Sequence, residues 1–381
     1  MNFIPAYPDV HFGYGALDQL GPELTRRGVS RPLIITDQGL VRHGVCDQVL
    51  RSLVGGAAGH AFSAAVFDEI PENPTIAGVE KALVAYQANR CDGIVGLGGG
   101  SVLDSGKALR VLTHQGGSLI EYLRDPARIG RTVAPYITVP TTAGTGAEVT
   151  FGGGIHPEAH GHAMSIRSPF VKPDLAICDP ALTFSLPAHL TAATGMDALT
   201  HCIEGFLSNR DNPPAEAIAL DGIARVVNFV GRATADGQDR TAREQMMMAA
   251  LEGGMAIYAG LGPIHALSMA FGDSPLHHGT LVTVATPAVM RFYNDLPGMR
   301  MQRLAEAMGL AGDQDAGLRI ADAVEQMNAS LGLPASVRAM GYARTDTVRM
   351  VDEATRSDFN LTAPRRPSRQ DYQHLVSAVL G

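Results

Sequence analysis

Cysteine is scarce in this 381-residue chain, with only Cys46, Cys91, Cys178 and Cys202, and no two of them form a C-x-x-C pair. That scatter argues against a disulfide-framed scaffold or a zinc ribbon and fits reduced thiols in the cytoplasm. No run of Lys and Arg occurs, and the formal net charge is −8. A dedicated nucleic-acid partner is excluded on that ground. No apolar run approaches the roughly 18 residues that a membrane-spanning helix needs, so no membrane span is expected. The amino-terminal stretch, residues 1–9, has neither a basic segment nor a long apolar core and does not read as a signal peptide. Tryptophan is absent and aromatics reach only 6%. Glycine is abundant at 43 residues, which points to tight turns and close backbone approaches.

The length exceeds what one hydrophobic core comfortably serves, so two domains are expected. In the first half, Pro32–Thr36, Ala64–Phe67, Asp92–Leu97 and Ala134–Pro140 read as strands. Helical stretches separate them, among them Ile76–Asn89 and one starting near Ser101. Strands alternating with helices predict a parallel α/β sheet. From about Pro187 the runs become long and helical, as in Leu190–Phe206, Thr241–Leu251 and Ala316–Leu331. The expected fold class is α/β plus all-α, with an α/β domain over residues 1–180 and an all-helical domain over 181–381.

Two groups of residues carry chemistry. Asp197 and His201 lie four apart on a predicted helix and so face one side of it. His265 and His278 follow downstream. One carboxylate and three imidazoles form a metal-ligand inventory, although Asp197 and His201 alone read equally well as a surface pair. In the first half, a predicted strand runs through Gly98-Gly-Gly100 into a helix. Glycines there let the backbone approach a phosphate, and helix N-terminal N–H groups bind it. Ser101 reads as the N-cap of that helix, with Asp104 at its third position. Asp37 ends a strand, where a carboxylate accepts hydrogen bonds from ribose hydroxyls; an Asx turn before Gly39 is an equal reading. The loop Thr141-Thr-Ala-Gly-Thr-Gly-Ala-Glu148 offers hydroxyls to a phosphate or nicotinamide, or is simply a polar loop.

Together these stretches resemble the iron-containing (group III) alcohol dehydrogenase family. The resemblance runs through Gly98–Lys107, Pro140–Glu148, Ala193–His201, Gly262–Leu267 and His278-Gly279, nearly the whole chain. It implies a dehydroquinate synthase-like fold, a dinucleotide-binding domain followed by a helical metal-binding domain, with metal and cofactor in the cleft between them. It implies Asp197, His201, His265 and His278 as metal ligands, and Asp37, Gly98, Gly99, Ser101, Asp104, Thr141, Thr142 and Leu190 as cofactor-binding residues. The cofactors implied are NAD and Fe(II), with Zn(II) suited to the same donors. The implied activity is hydride transfer between NAD(H) and a small alcohol or aldehyde, in a cytoplasmic homo-oligomer, a dimer being expected.

Three departures from the family stand out. Met269 replaces a histidine often found four residues after the third ligand. The segment between His265 and His278 is one residue short, which leaves His277 as an alternative ligand or as the catalytic proton carrier. Ala163 stands where a lysine is usual. Asn212–Asp221, Ala235–Arg240 and Leu276–Thr280 look like the 4-hydroxybutyrate dehydrogenases of the family, and a carboxylated substrate needs an anchor such as Arg167, Arg365 or Arg366. Reduction of maleylacetate or another acidic aldehyde is a neighbouring reading. A non-catalytic relative is the alternative of a different class.

Overall fold

The computed structural model describes residues 4, 6–54, 62–131, 134–158 and 162–381. The reading of residues 1–9 therefore falls partly outside the described residues. The chain divides into two compact units, one within residues 6–142 and 147–185, the other of residues 143–146 and 186–381.

In the first unit, β1 (Asp9–Phe12), β2 (Pro32–Ile35), β3 (Ala65–Phe67), β4 (Gly93–Gly98), β5 (Tyr136–Pro140) and β8 (Leu175–Cys178) form one sheet. Its order is β1-β8-β5-β4-β2-β3, and every pairing is parallel. The central strands are apolar on both faces, as a sheet covered by helices on each side requires. Leu33, Ile35 and Ile94 point into one core, and Ile34, Val95 and Leu97 into the other. A two-stranded antiparallel ribbon, β6 (Gly152–Ile155) with β7 (Met164–Arg167), completes the unit.

Four expected strands are present with shifted ends. β1, β8 and the β6–β7 ribbon have no counterpart in the sequence reading. β6 is Gly-Gly-Gly-Ile, which carries no strand signal of its own. Gly154 N–H donates to Asp104 (3.0 Å), and Lys107 Nζ to the Gly152 carbonyl (2.7 Å). Tertiary anchoring thus holds this ribbon where propensity alone does not. Lys107 is fully buried, and it also donates to Asp104 and Thr150.

The second unit is helical. The helices Ala188–Leu207, Pro213–Ala235 and Arg240–Ala256 pack together around one apolar core. Ala188–Leu207 is buried on nearly all sides, with 17 of its 20 residues buried. The residues 143–146 pack here because two glycines permit it. A Cβ on Gly144 would lie 2.6 Å from Thr194 Cβ, and one on Gly146 (φ +61°) 2.4 Å from Gly254 Cα. Those glycines permit backbone contact with helices and are not free phosphate-binding turns. Between the second and third helices, Arg225 Nε lies 3.3 Å from Glu252 Oε2 and 2.6 Å from Asp221 Oδ2. Burial pushes the Glu252 carboxyl up to about 8; the neighbouring Asp221 adds to the rise and Arg225 opposes it.

Candidate metal and dinucleotide sites

The helix Ala188–Leu207 carries Asp197, His201 and Glu204 at i, i+4 and i+7, a single face of the helix. A short helix, Pro263–Met269, supplies His265. Ligand atoms of Asp197, His201 and His265 all lie within 4.8 Å of one another, and all three residues are buried. His265 Nε2 is 3.1 Å from His201 Nε2, and His201 Nε2 is 3.8 Å from Asp197 Oδ1. The rings of His201 and His265 stack at 4.9 Å.

His278 begins the helix His278–Phe292, and its ring centroid lies 5.5 Å from that of His265. It flanks the three-residue cluster without joining it. His277 occupies the N-cap position of the same helix, with Nδ1 3.3 Å from Thr280 Oγ1. Met269 ends the Pro263–Met269 helix.

Electrostatics tie these groups together. Burial raises the Asp197 carboxyl, but the imidazoles of His201, His278, His265 and His277 outweigh it, and the group ends below its ordinary range. Burial lowers His201, with Asp197 opposing and His265 adding to the fall. His278 is exposed as a residue. Desolvation lowers its imidazole to about 4, with Asp197 opposing and the other imidazoles adding.

A metal ion fits this donor set. Asp197 Oδ1 is buried without a hydrogen-bond partner. A buried orphan acceptor costs about 1–3 kcal/mol, and a cation beside Asp197 Oδ1 removes that cost. Mixed carboxylate and imidazole donors suit Fe(II) and Zn(II) alike.

The sequence reading missed Glu204. It is buried, its Oε2 lies 2.6 Å from His265 Nδ1, and its Oε1 accepts the Ile264 N–H at 2.7 Å. Its position three residues after His201, on the ligand face of the helix, was the available signal.

In the first unit, the expected cofactor residues gather at the carboxyl ends of adjacent strands. Asp37 follows β2, Gly98 and Gly99 close β4, and Thr141 and Thr142 follow β5. Ligands of open parallel sheets bind along this edge. Thr141 N–H donates to the Gly98 carbonyl (3.1 Å), and a Cβ on Gly99 would sit 3.1 Å from Thr142 Cγ2.

Ser101 is not the N-cap. The helix spans Gly100–Gln115, its N-cap is Gly99, and no side chain caps it. Ser101 Oγ instead donates to the Glu72 carbonyl. The first-turn N–H groups, uncapped by any side chain, are what a phosphate needs. Asp104 is engaged by Lys107 and Gly154 rather than by a cap. Asp37 caps the helix Gln38–Arg42 by accepting from the Leu40 N–H at 3.0 Å, so the turn reading holds for one of its oxygens. Leu190 sits in the first turn of Ala188–Leu207, where its carbonyl accepts from Thr194 Oγ1.

Of the proposed carboxylate anchors, Arg365 pairs with Asp295 (2.6 Å) and lies over the Phe292 ring. Arg366 reaches the Thr355 carbonyl at 3.5 Å, and Arg167 lies over Phe151. Each of the three already has a partner within the protein.

A buried carboxylate–imidazole cluster on the helical unit and a glycine turn on the parallel-sheet unit fit the chemistry of a metal- and dinucleotide-dependent oxidoreductase. The profile described as "Iron-containing alcohol dehydrogenase" matches residues 8–180, and "Fe-containing alcohol dehydrogenase family, C-terminal" matches residues 191–380. The chain is 42% identical to 4-hydroxybutyrate dehydrogenase of Cupriavidus necator, over 99% of both chains. It is 30% identical to NAD-dependent methanol dehydrogenase of Bacillus methanolicus, again over 99% of both. A solved 1,3-propanediol oxidoreductase superposes with a TM-score of 0.92 at 30% identity, covering all of both chains.

The chain belongs to the iron-containing alcohol dehydrogenase family. It is an NAD-dependent oxidoreductase that moves a hydride between NAD(H) and an alcohol or aldehyde. Among the described residues, no helix is long and apolar enough to cross a membrane.

Proposed function

We propose that the physiological substrate is a short hydroxy acid of the 4-hydroxybutyrate type, or the matching semialdehyde in the reverse direction. The observation that carries this reading is the 42% identity, end to end, to a 4-hydroxybutyrate dehydrogenase. Asp197, His201, His265 and His278 are assigned to hold the metal, and the convergence of the first three within 4.8 Å supports the assignment. Asp37, Gly98, Gly99, Ser101, Asp104, Thr141, Thr142 and Leu190 are assigned to the NAD side. Ser101 and Asp104 act there by shaping the turn and the ribbon behind it.

When bound, the metal supplies Lewis acidity towards the substrate oxygen. The chain's own residues do the remaining work. The uncapped first turn at Gly100 holds the pyrophosphate, and Asp37 accepts from the ribose hydroxyls and repels a 2′-phosphate. His277, next to the ligand set, is assigned to carry the proton to and from the substrate oxygen through its imidazole, in the role that Met269 cannot fill. The buried cysteines support a reducing cytoplasmic location. A homodimer is the expected assembly.

The test is NADH oxidation by Fe(II)- and Zn(II)-loaded protein with succinic semialdehyde and with butanal, an uncharged aldehyde of the same chain length. A kcat/KM for succinic semialdehyde at least tenfold above that for butanal is expected. Equal values, or a preference for butanal, would overturn the substrate reading. His277→Ala is expected to shift the pH–rate profile while metal content stays constant; an unchanged profile removes His277 from the proton path.

A further inference from the structure

Glu204 lies outside the ligand set, yet it bonds directly to His265. Its carboxylate is buried, 5% exposed, and reaches from the Ala188–Leu207 helix to the first turn of Pro263–Met269. That short helix begins with proline, which has no N–H, so Ile264 provides the first backbone donor. Oε1 accepts it at 2.7 Å, and Oε2 lies 2.6 Å from His265 Nδ1. Gly262 leaves room for this reach, since a Cβ there would stand 2.8 Å from Glu204 Oε1.

A carboxylate can only accept hydrogen bonds. With one oxygen committed to Ile264, the other requires a proton on His265 Nδ1. Neutral imidazole carries one proton, so Nε2 is left with its lone pair. Nε2 is the atom that faces the cluster, 3.1 Å from His201 Nε2.

We infer that Glu204 is a positioning residue: it fixes the tautomer and ring orientation of His265 so that Nε2 is presented to a metal ion. The inference rests on the reading of Asp197, His201 and His265 as metal ligands. His201 has no carboxylate partner of this kind; its ring is engaged by the Gly144 backbone instead. The carboxylate of Glu204 therefore dictates the tautomer at His265.

Glu204→Gln discriminates this role from simple packing. Glutamine keeps the shape and an acceptor for the Ile264 N–H, but it turns a donating NH2 towards His265 Nδ1. That donor favours the tautomer with the proton on Nε2 and blocks coordination. Zn(II) affinity is measured by competition with a chromophoric chelator, and the visible spectrum of Co(II)-loaded protein is recorded alongside. Loss of such a carboxylate partner typically weakens metal binding about 10- to 100-fold.

E204Q is expected to bind Zn(II) at least tenfold more weakly and to alter the Co(II) spectrum, with the melting temperature of the metal-free protein near that of the wild type. Glu204→Asp, still acceptor-only, is expected to recover part of the affinity. Equal Zn(II) affinity in wild type and E204Q overturns the inference. A wild type that binds no Zn(II) or Co(II) instead overturns the metal-ligand reading beneath it. If E204Q does not fold, nitrogen-15 NMR of histidine-labelled, metal-free wild type answers the same question. His265 protonated on Nδ1 supports the role of Glu204, and protonation on Nε2 refutes it.

Discussion

Metal removal is the most direct perturbation, and its size follows from the cluster. In the metal-free protein the Asp197 carboxylate is 1% exposed and its Oδ1 has no partner. An ion bound there stabilises only the folded state, and at free metal about 100 times its Kd the gain is about 2.7 kcal/mol. For a domain of the second unit's size, each kcal/mol moves the melting temperature by about 2–4 °C. Adding Zn(II) to chelator-stripped enzyme should therefore raise the melting temperature by about 5–11 °C in a thermal scan. Asp197→Asn keeps the shape but removes the charge and the anionic donor, and should reduce the metal-dependent rise to about 2 °C or less. A wild-type rise below about 1 °C, or an equal rise in the variant, would refute the argument that this cluster binds the ion.

Three further outcomes are expected. The Glu252 carboxyl is raised to about 8 in the fold, so the protonated form that favours folding is lost as pH rises. Stability should decline between about pH 5 and 8, and Glu252→Gln should flatten that decline in urea melts at pH 5, 6.5 and 8. Asp37→Gly should cost only a few tenths of a kcal/mol in capping, because glycine is a fair N-cap. It should reduce the NADH-over-NADPH preference by about tenfold or more, the scale of a lost charged hydrogen bond, read as the ratio of kcat/KM values. Gly146→Ala places a Cβ 2.4 Å from Gly254 Cα at a positive φ; it should destabilise by about 1–3 kcal/mol in denaturant titration.

How much of this was legible in the sequence depended on whether a feature was local or depended on packing. The central strands β2, β4 and β5 were readable because burial on both faces makes them continuous apolar runs. The helix carrying Asp197 and His201 was readable to within two residues at its start and one at its end. The β6–β7 ribbon was not, since it depends on Asp104 and Lys107, about 50 residues earlier in the chain.

Ser101 was misassigned as a cap because its side chain had a better partner in the Glu72 carbonyl, 29 residues away. The loop Thr141–Glu148 was read for its hydroxyls alone, and the packing of Gly144 and Gly146 against the helical residues Thr194 and Gly254 gave no local signal. Glu204 went unnoticed because a carboxylate that bonds a ligand, and is not one itself, leaves no spacing signature apart from its place on the ligand face.

The pairing of β1 with β8 has a consequence for how the protein is made. Asp9 lies opposite Leu175, so the first strand must wait for its partner to be synthesised 166 residues later (175 − 9). At about 5–20 residues per second, that interval on the ribosome is on the order of 8–33 s. Until then β5 presents an unpaired apolar edge, because its other neighbour in the sheet is also β8. Nascent chains arrested before residue 175 should therefore be the aggregation-prone species, and slowing translation downstream of β8 should relieve them less than chaperones acting while β5 is exposed.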